Sequence, residues 1–160
     1  MKKKAVVLRL SSALLMLMLI ITSIIVPPLT RGEKAVLAAV EKLGCRYVFR
    51  EDGPNKFDCS GLTKYCFEPF GISLEHNAQA VGYDDRYRTL HFPFQFAVGD
   101  LIFFDTVSKD RDACDHVGIW MGGNRFIHGS SSQKKVVISE FEGVYREKFS
   151  WGKRIICPYF

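Results

Sequence analysis

The sequence predicts an α+β domain in which N-terminal helices pack on an antiparallel β-sheet. Two observations lead to this prediction. Two segments before residue 72 have apolar residues at helical spacing, whereas several short segments after residue 100 are rich in β-branched and aromatic residues. Helices followed by a run of strands are typical of the α+β class.

The first helix is predicted over Glu33–Leu43, and Gly44 would end it. Its apolar residues lie three and four positions apart and would face the core: Ala35, Val36, Ala39, Val40 and Leu43. The second helix is predicted to begin at Cys59, because Asp58 has a side chain suited to the N-cap position. Pro69 would end this helix.

Four strands are predicted after the helices, each bounded by turn-forming residues: Leu101–Phe104, Val117–Met121, Arg125–His128 and Val136–Ile138. A last apolar segment, Ile155–Cys157, would add one more strand. Three residues separate the second and third of the four strands and would join them as a hairpin.

Length and charge indicate one globular domain that does not bind nucleic acid. The chain has 160 residues, of which 48% are hydrophobic and 24% are charged. Five of its 22 basic residues lie in the first 31 positions, which contain no acid, so the rest of the chain balances its 17 acidic residues. The net charge of +5 at pH 7 therefore belongs to the N-terminus.

Residues 1–32 are predicted to be a signal peptide or membrane anchor, and residues 33–160 to be the domain. Three lysines follow the first Met, and an apolar run over residues 10–26 ends at Pro27-Pro28. A cationic start before an apolar stretch is typical of an export signal. Thr30-Arg31-Gly32 is only a weak cleavage site, so cleavage and anchoring both stay open. In either case the domain would be secreted or held in the cell envelope, outside the cytoplasmic membrane.

The five cysteines limit the kinds of site that the chain can form. No C-x-x-C pair occurs, so neither a zinc ribbon nor a thioredoxin-like redox site is indicated. An odd number outside the cytoplasm leaves at least one free thiol, and the spacing gives no disulfide pairing. Cys66 and Cys157 lie in apolar surroundings and are interpreted as buried. Cys59 differs, because it lies where a loop meets a helix.

Cys59 is therefore the candidate nucleophile. In the first turn of a helix, its sulfur would lie among unpaired N–H groups at the positive end of the helix dipole, which favours thiolate over thiol. Gly61 would leave space beside the sulfur for a substrate backbone. The N–H of Cys59 itself could help to hold a tetrahedral oxyanion.

The candidate base is His116, with His128 as its partner. If Met121 pairs with Arg125 across a three-residue loop, Gly118 lies opposite His128. The two histidines then share a face, diagonally adjacent at about 7–8 Å, a distance that two imidazoles can bridge. His116 could take the thiol proton while His128 orients it. A two-residue loop would shift the register by one and separate the rings.

Four motifs, in this order, resemble those of the NlpC-type cell-wall cysteine peptidases: Phe57-Asp58-Cys59-Ser60-Gly61-Leu62, Val98-Gly99-Asp100-Leu101-Ile102-Phe103-Phe104, His116-Val117-Gly118-Ile119-Trp120 and Phe126-Ile127-His128. The steps of 57 residues from Cys59 to His116 and 12 residues from there to His128 also match the family. The resemblance extends from about Glu33 to His128.

The resemblance implies a papain-like fold and endopeptidase activity on peptidoglycan stem peptides, typically at the bond between D-glutamate and a diamino acid. It also implies two sets of site residues: Cys59, His116 and His128 as nucleophile, base and orienting partner, and Tyr47, Asp58 and Ser60 near the oxyanion and substrate. No metal or cofactor is expected, and the protein is expected to be a monomer. The membrane would be a partner only through an uncleaved N-terminal segment.

Two segments depart from the family pattern. The family usually follows its tyrosine with a tryptophan and a glycine pair, where this chain has Phe49-Arg50-Glu51. It often has an arginine after the second helix, where Ser73-Leu74-Glu75-His76-Asn77 stands. Both segments border the substrate groove in the family, so the departures bear on bond specificity more than on the chemistry.

Other functions use similar residues. A cysteine amidase would release stem peptides from glycan, whereas an acyltransferase acting on lipids would need a different order of cysteine and histidine. A wall-binding or immunity-type module would keep the fold without turnover, although all three catalytic positions are filled here. A zinc site formed by Cys59, His116 and His128 is also conceivable, since these residue types bind zinc.

Overall fold

The computed structural model describes residues 12–19, 27–107 and 113–155. Residues 12–19 form a helical segment (α1) whose side chains are exposed. The other residues of the predicted signal or anchor, 1–11 and 20–26, lie outside the described residues. Within the described part of the chain, no helix is both long enough and apolar enough to cross a membrane.

Helices of the folded domain lie at both ends of its sequence: α2 Arg31–Val40, α3 Cys59–Phe67, α4 Ala78–Gly82 and α5 Val144–Glu147. Short 3-10 turns follow α3 at Glu68–Phe70 and precede the central strands at Pro93–Gln95. The two helices predicted from the sequence are α2 and α3. The short helices α4 and α5 are not predicted from the sequence pattern.

A capping box makes α2 begin two residues before its predicted start. The hydroxyl of Thr30 accepts a hydrogen bond from the N–H of Glu33, whose carboxylate accepts one from the N–H of Thr30. The helix ends at Val40, and Leu43 is 42% exposed, so the predicted place of Leu43 in the core is wrong. The rest of the predicted face packs into the core, with Val40 partly buried and three residues buried: Ala35, Val36 and Ala39.

The strands are β1 Arg46–Tyr47, β2 Lys56–Phe57, β3 Arg88–Leu90, β4 Leu101–Phe104, β5 His116–Gly122, β6 Arg125–Ser130, β7 Lys135–Glu140 and β8 Phe149–Arg154. In the described residues they form one eight-stranded sheet in the order β2-β1-β7-β6-β5-β4-β8-β3. The pairs are antiparallel except β1 and β2, which run parallel. The predicted antiparallel sheet is therefore confirmed except at one edge.

The last strand lies earlier in the chain than predicted. Strand β8 ends at Arg154, Ile155 follows it outside any strand, and Ile156 and Cys157 lie outside the described residues. Polar residues interrupt the apolar pattern of strand β8, so the pattern does not predict it. Among them is Lys153, which is buried because its ammonium group donates to the carbonyl oxygens of Asp84 and Tyr87.

Both faces of the central strands are buried. Helices α2, α3 and α4 pack on one face, and an aromatic cluster covers the other. Alternate residues of β4 point to the two sides, so Phe103 joins the core beneath the helices while Phe104 joins the aromatic cluster. The aromatic cluster and the side chains packed against it are Ile102, Phe104, Trp120, Phe126 and Phe141 with Phe96, Tyr145 and Phe149.

Candidate active site

The predicted cap at Asp58 is confirmed, and it makes Cys59 the first residue of α3. The buried Asp58 carboxylate accepts hydrogen bonds from the N–H of Gly61 (2.7 Å) and the hydroxyl of Ser60 (3.1 Å). Its other oxygen accepts a hydrogen bond from the N–H of Arg50 (2.8 Å). One side chain therefore fixes both the start of α3 and the loop that passes beside it.

Gly61 is needed for packing within the protein. A Cβ at this position would lie 2.2 Å from the carbonyl oxygen of Glu51 and 2.8 Å from the Cα of Asp52. The prediction that Gly61 leaves space for a substrate backbone is therefore wrong, because the chain's own loop fills that space. The close approach holds this loop against the helix that carries Cys59.

A second glycine brings the start of α3 against the sheet. A Cβ on Gly129 in β6 would lie 2.9 Å from the carbonyl oxygen of Asp58 and 3.2 Å from the nitrogen of Cys59. Gly129 directly follows His128. The N–H of Val117, which directly follows His116, interacts with the Cys59 sulfur. The fold therefore brings Cys59 into contact with both strands that carry the candidate histidines.

The β5–β6 hairpin has a shorter turn than predicted. Gly122 pairs with Arg125 across a two-residue turn, in which Gly123 and Asn124 both have positive φ (58° and 62°), as type I′ turns require. The predicted three-residue loop is therefore wrong. A β-bulge at Met121 adds one residue to β5 and restores the register that a two-residue turn would otherwise shift.

The two candidate histidines meet on one face of this hairpin. Beyond the bulge, Ile119 pairs with Ile127, which puts Gly118 opposite His128 as predicted. Nε2 of His116 lies 2.7 Å from Nδ1 of His128, a hydrogen bond between two buried rings. The contact that the strand register predicts between the two imidazoles is therefore present.

Hydrogen bonds continue from His128 to two hydroxyl groups. Its Nε2 lies 3.0 Å from Oγ of Ser139 and 3.4 Å from the hydroxyl of Tyr145. Two opposite proton assignments satisfy this series, and in one of them the Nε2–H of His116 donates to Nδ1 of His128 while the Nε2–H of His128 donates to Ser139. In that assignment Nδ1 of His116 is unprotonated and can accept a proton.

Burial keeps both histidines neutral. The His128 ring centroid lies 4.8 Å from that of Phe126 and 5.5 Å from that of Tyr145, and the His116 centroid lies 6.0 Å from that of Phe104. Desolvation in these surroundings lowers the pKa of His116 to about 4 and the pKa of His128 to about 3. A carboxylate, Asp115, acts in the opposite direction on His116 but is the smaller influence.

Burial also raises the pKa of the Cys59 thiol to about 11, and the Asp58 carboxylate adds to this rise. The N–H groups of Val117, Ser60 and Cys59 lower it, but by less. The expectation that the helix N-terminus favours the thiolate is therefore wrong for the resting site, where desolvation dominates. Cys59 and His116 rest as thiol and neutral imidazole, so an attack by this sulfur requires a proton acceptor.

The lowered histidine pKa values predict that the protein loses stability on mild acidification. Histidines of the unfolded chain bind protons near pH 6.5, whereas His116 and His128 in the folded protein do so only near pH 4 and below. The unfolded state therefore binds more protons as the pH falls from about 6.5 to about 4. Each unit of pKa difference lowers the free energy of unfolding by about 1.4 kcal/mol.

Differential scanning calorimetry between pH 7 and pH 4 measures this effect. We expect the unfolding temperature to fall through this window. A double variant, His116→Gln with His128→Asn, should lose most of the slope, whereas His91→Ala, at an exposed position, should keep it. A wild-type unfolding temperature that does not change over the window would contradict the lowered pKa values.

A cleft of about 370 Å³ opens beside Cys59, and the other predicted substrate-side residues, Tyr47, Asp58 and Ser60, line it. Burial, with smaller contributions from Cys59 and Asp58, raises the pKa of Tyr47 to about 12. The Tyr47 hydroxyl therefore stays protonated at neutral pH and can donate a hydrogen bond. The remaining lining residues are Phe49, Arg50, His76, Asn77, Ala78, Gln79, Cys114 and Asp115.

Three residues of this site were not predicted. Nε2 of His76 lies 2.9 Å from the Asp58 carboxylate, although the sequence marked this segment only as a departure from the family pattern. Ser139 reaches His128 from one residue beyond the predicted strand Val136–Ile138, so the register of β7 would have been needed to find it. Tyr145 lies in a single helical turn that carries no sequence signal.

The free cysteines of the described residues are Cys45, Cys59, Cys66 and Cys114. Cys66 is fully buried, as predicted, and burial raises its pKa to about 12. The predicted burial of Cys157 falls outside the described residues. Of the free thiols of the described residues, Cys59 is the one in the first turn of a helix beside the histidine strands.

Comparisons with known proteins give consistent results. The sequence profile of the NlpC/P60 family matches residues 44–155. A probable endopeptidase p60 of Listeria innocua is 33% identical over 123 residues, which cover 76% of this chain and 23% of that protein. The gamma-DL-glutamyl hydrolase of Bacillus subtilis is 32% identical over 132 residues, which cover 79% of this chain and 30% of that protein. The chain thus spans less than a third of the length of these curated relatives.

The same similarity extends to solved structures. NlpC2 from Trichomonas vaginalis superposes with a TM-score of 0.73 at 31% identity, over 81% of this chain and 49% of that one. The family profile covers most of the folded domain, including Cys59, His116 and His128. The chain therefore belongs to the NlpC/P60 family, a family of cysteine peptidases that includes endopeptidases and peptidoglycan hydrolases.

Proposed function

We propose that this protein is an exported cysteine endopeptidase that hydrolyses peptidoglycan stem peptides at the bond between D-glutamate and the diamino acid. The observation that carries this proposal is the hydrogen-bonded histidine pair, 2.7 Å apart, on the strands that contact the Asp58-capped start of α3. In this proposal Cys59 is the nucleophile, His116 the base and His128 the residue that orients it.

Acylation begins with transfer of the Cys59 thiol proton to Nδ1 of His116 as the sulfur attacks the scissile carbonyl carbon. His128, neutral and hydrogen-bonded through Nδ1, holds the His116 ring in place as it becomes charged. The tetrahedral intermediate then collapses, the C–N bond breaks, and His116 returns its proton to the leaving amine. The glutamyl portion of the substrate stays bound to Cys59 as a thioester.

Deacylation uses the same groups in the opposite order. Neutral His116 removes a proton from water, which attacks the thioester carbonyl carbon. The C–S bond then breaks, and His116 gives the proton to the Cys59 sulfur, which restores the thiol. The developing oxyanion is held by the N–H of Cys59 and by the Tyr47 hydroxyl, which stays protonated at neutral pH. Asp58 and Ser60 line the cleft on the side of the stem peptide before the scissile bond, and Asp58 holds the Ser60 hydroxyl in position there.

The γ-linkage of the scissile bond is supported by one relative, whose name is gamma-DL-glutamyl hydrolase. The N-terminal pattern over residues 1–32 supports export, followed by cleavage or by attachment to the membrane. In this proposal the protein acts on peptidoglycan as a monomer. It requires no cofactor, because the thiol and the two imidazoles supply all of the proton transfers.

Mass spectrometry of the products tests the assigned bond. The purified full-length protein is incubated, under reducing conditions, with peptidoglycan and with a synthetic L-Ala-γ-D-Glu-diamino acid peptide. We expect fragments that end in D-glutamate and fragments that begin with the diamino acid. Intact stem peptides released from glycan would instead indicate an amidase, and no release at all would favour a wall-binding module.

A further inference from the structure

Arg50 lines the cleft in a backbone conformation that arginine rarely adopts. Its φ is +64°, in the left-handed region, where a Cβ is disfavoured. Its N–H donates to the Asp58 carboxylate at 2.8 Å, so the conformation is fixed next to the start of α3. Glycine would adopt this conformation without strain, so an arginine at this position indicates that its side chain has a function.

The Arg50 guanidinium is available to a group that enters the cleft. The side chain is exposed, and its Cζ lies 5.5 Å from the ring centroid of Phe49, which also lines the cleft and is 72% exposed. Across residues 12–19, 27–107 and 113–155, the guanidinium forms no ion pair with a protein carboxylate. The aromatic ring supports the cation without neutralising it.

The other charged side chains of the cleft are already engaged. The Asp58 carboxylate accepts hydrogen bonds from several protein donors, including Nε2 of His76 at 2.9 Å. The Asp115 carboxylate accepts hydrogen bonds from the N–H (2.9 Å) and hydroxyl (2.7 Å) of Thr106. Among the described residues that line the cleft, Arg50 therefore carries the positive charge that has no anionic partner.

We propose that Arg50 binds a free carboxylate of the substrate next to the scissile bond, an assignment that rests on the proposed function. The planar guanidinium matches a carboxylate with two parallel N–H donors. A γ-linked D-glutamyl residue keeps its α-carboxylate close to the scissile carbonyl, and diaminopimelate carries a second carboxylate on the leaving side. Arg50 is thus a specificity-determining residue that favours stem peptides in which this carboxylate is neither amidated nor absent.

Kinetics on three peptides test this assignment. The parent is L-Ala-γ-D-Glu-meso-diaminopimelate, the second is its glutamyl α-amide, and the third has lysine in place of diaminopimelate. We expect the full-length wild type to prefer the parent over one of the other two by roughly 10- to 100-fold in kcat/KM. Loss of a hydrogen bond to a charged group weakens binding by a factor of about this size. The peptide that is disfavoured identifies the carboxylate.

The Arg50→Gly variant should lose this preference. Its kcat/KM should fall on the parent and stay unchanged on the disfavoured peptide, and its unfolding temperature should be equal to or above that of the wild type, because glycine relieves the positive φ. Arg50→Lys keeps the charge without the paired donors and should retain part of the preference.

The matched control is Arg46→Ala, which removes the same charge from an exposed position of β1 that does not line the cleft. It should leave the preference unchanged. An unchanged preference in Arg50→Gly, or an equal loss of activity on all three peptides, would overturn the assignment while leaving the proposed function intact. If the wild type cleaves none of the three peptides after D-glutamate, the proposed function is contradicted and this assignment fails with it.

Discussion

Cys59→Ala is expected to abolish hydrolysis, lowering kcat/KM on a γ-D-glutamyl peptide by a factor of at least about 10⁴. The thiol is the only group that the proposed mechanism uses to form the covalent intermediate, and no other free thiol of the described residues begins a helix beside the histidine strands. Fold and binding should survive, because the substitution removes one sulfur atom and leaves the Asp58 cap intact. Steady-state kinetics together with circular dichroism measure both.

The matched control for Cys59→Ala is Cys66→Ala, in the same helix. Cys66 is fully buried in the core, so its truncation should lower the free energy of unfolding by about 1 kcal/mol and leave kcat/KM within about twofold. Comparable activity in wild type and Cys59→Ala would exclude the covalent mechanism. Loss of activity in both variants would mean that helix packing, rather than the nucleophile, limits the assay.

His116→Gln is expected to lower kcat/KM by about 10³- to 10⁴-fold and to change the pH dependence. The wild-type rate should not depend on ionisation of His116 above about pH 5, because its pKa is lowered to about 4. Without the base, only the thiolate can attack, and burial raises the pKa of Cys59 to about 11. The residual rate should therefore rise about tenfold for each pH unit up to that range.

His91→Ala provides the control for this variant, since His91 is exposed and lies outside the cleft. It should keep both the wild-type rate and the wild-type pH profile. If the residual rate of His116→Gln is flat with pH, the thiol does not depend on His116 for deprotonation, and the assignment of the base is wrong.

The sequence predicts a helix or strand well when the same pattern of burial extends along its whole length. Strand β4 was predicted with its observed bounds because all four of its residues are buried. Strand β8 was missed because a buried lysine and a glycine interrupt its pattern, and the lysine is satisfied by carbonyl groups distant in sequence. Strands β1 and β2, of two residues each, are too short to produce a periodic signal.

The candidate site was predictable where local geometry determines it. The Asp58 cap follows from two adjacent residues, and the histidine contact follows from hairpin register, although the bulge at Met121 was needed to preserve it. The pKa shift of the Cys59 thiol is the reverse of the predicted one, because helix-dipole reasoning does not include how deeply Cys59 is buried. The strained Arg50 backbone could be found only in the structure, since a φ angle is not a sequence property.

The most direct test of the central claim is detection of the acyl-enzyme. The full-length protein is mixed with the γ-D-glutamyl peptide, quenched in acid during turnover, digested with a protease and analysed by mass spectrometry. The mechanism predicts a thioester to the glutamyl fragment on the peptide that contains Cys59, accumulating in wild type and absent in Cys59→Ala. An adduct on another residue, or active turnover through which no adduct forms on Cys59, would contradict it.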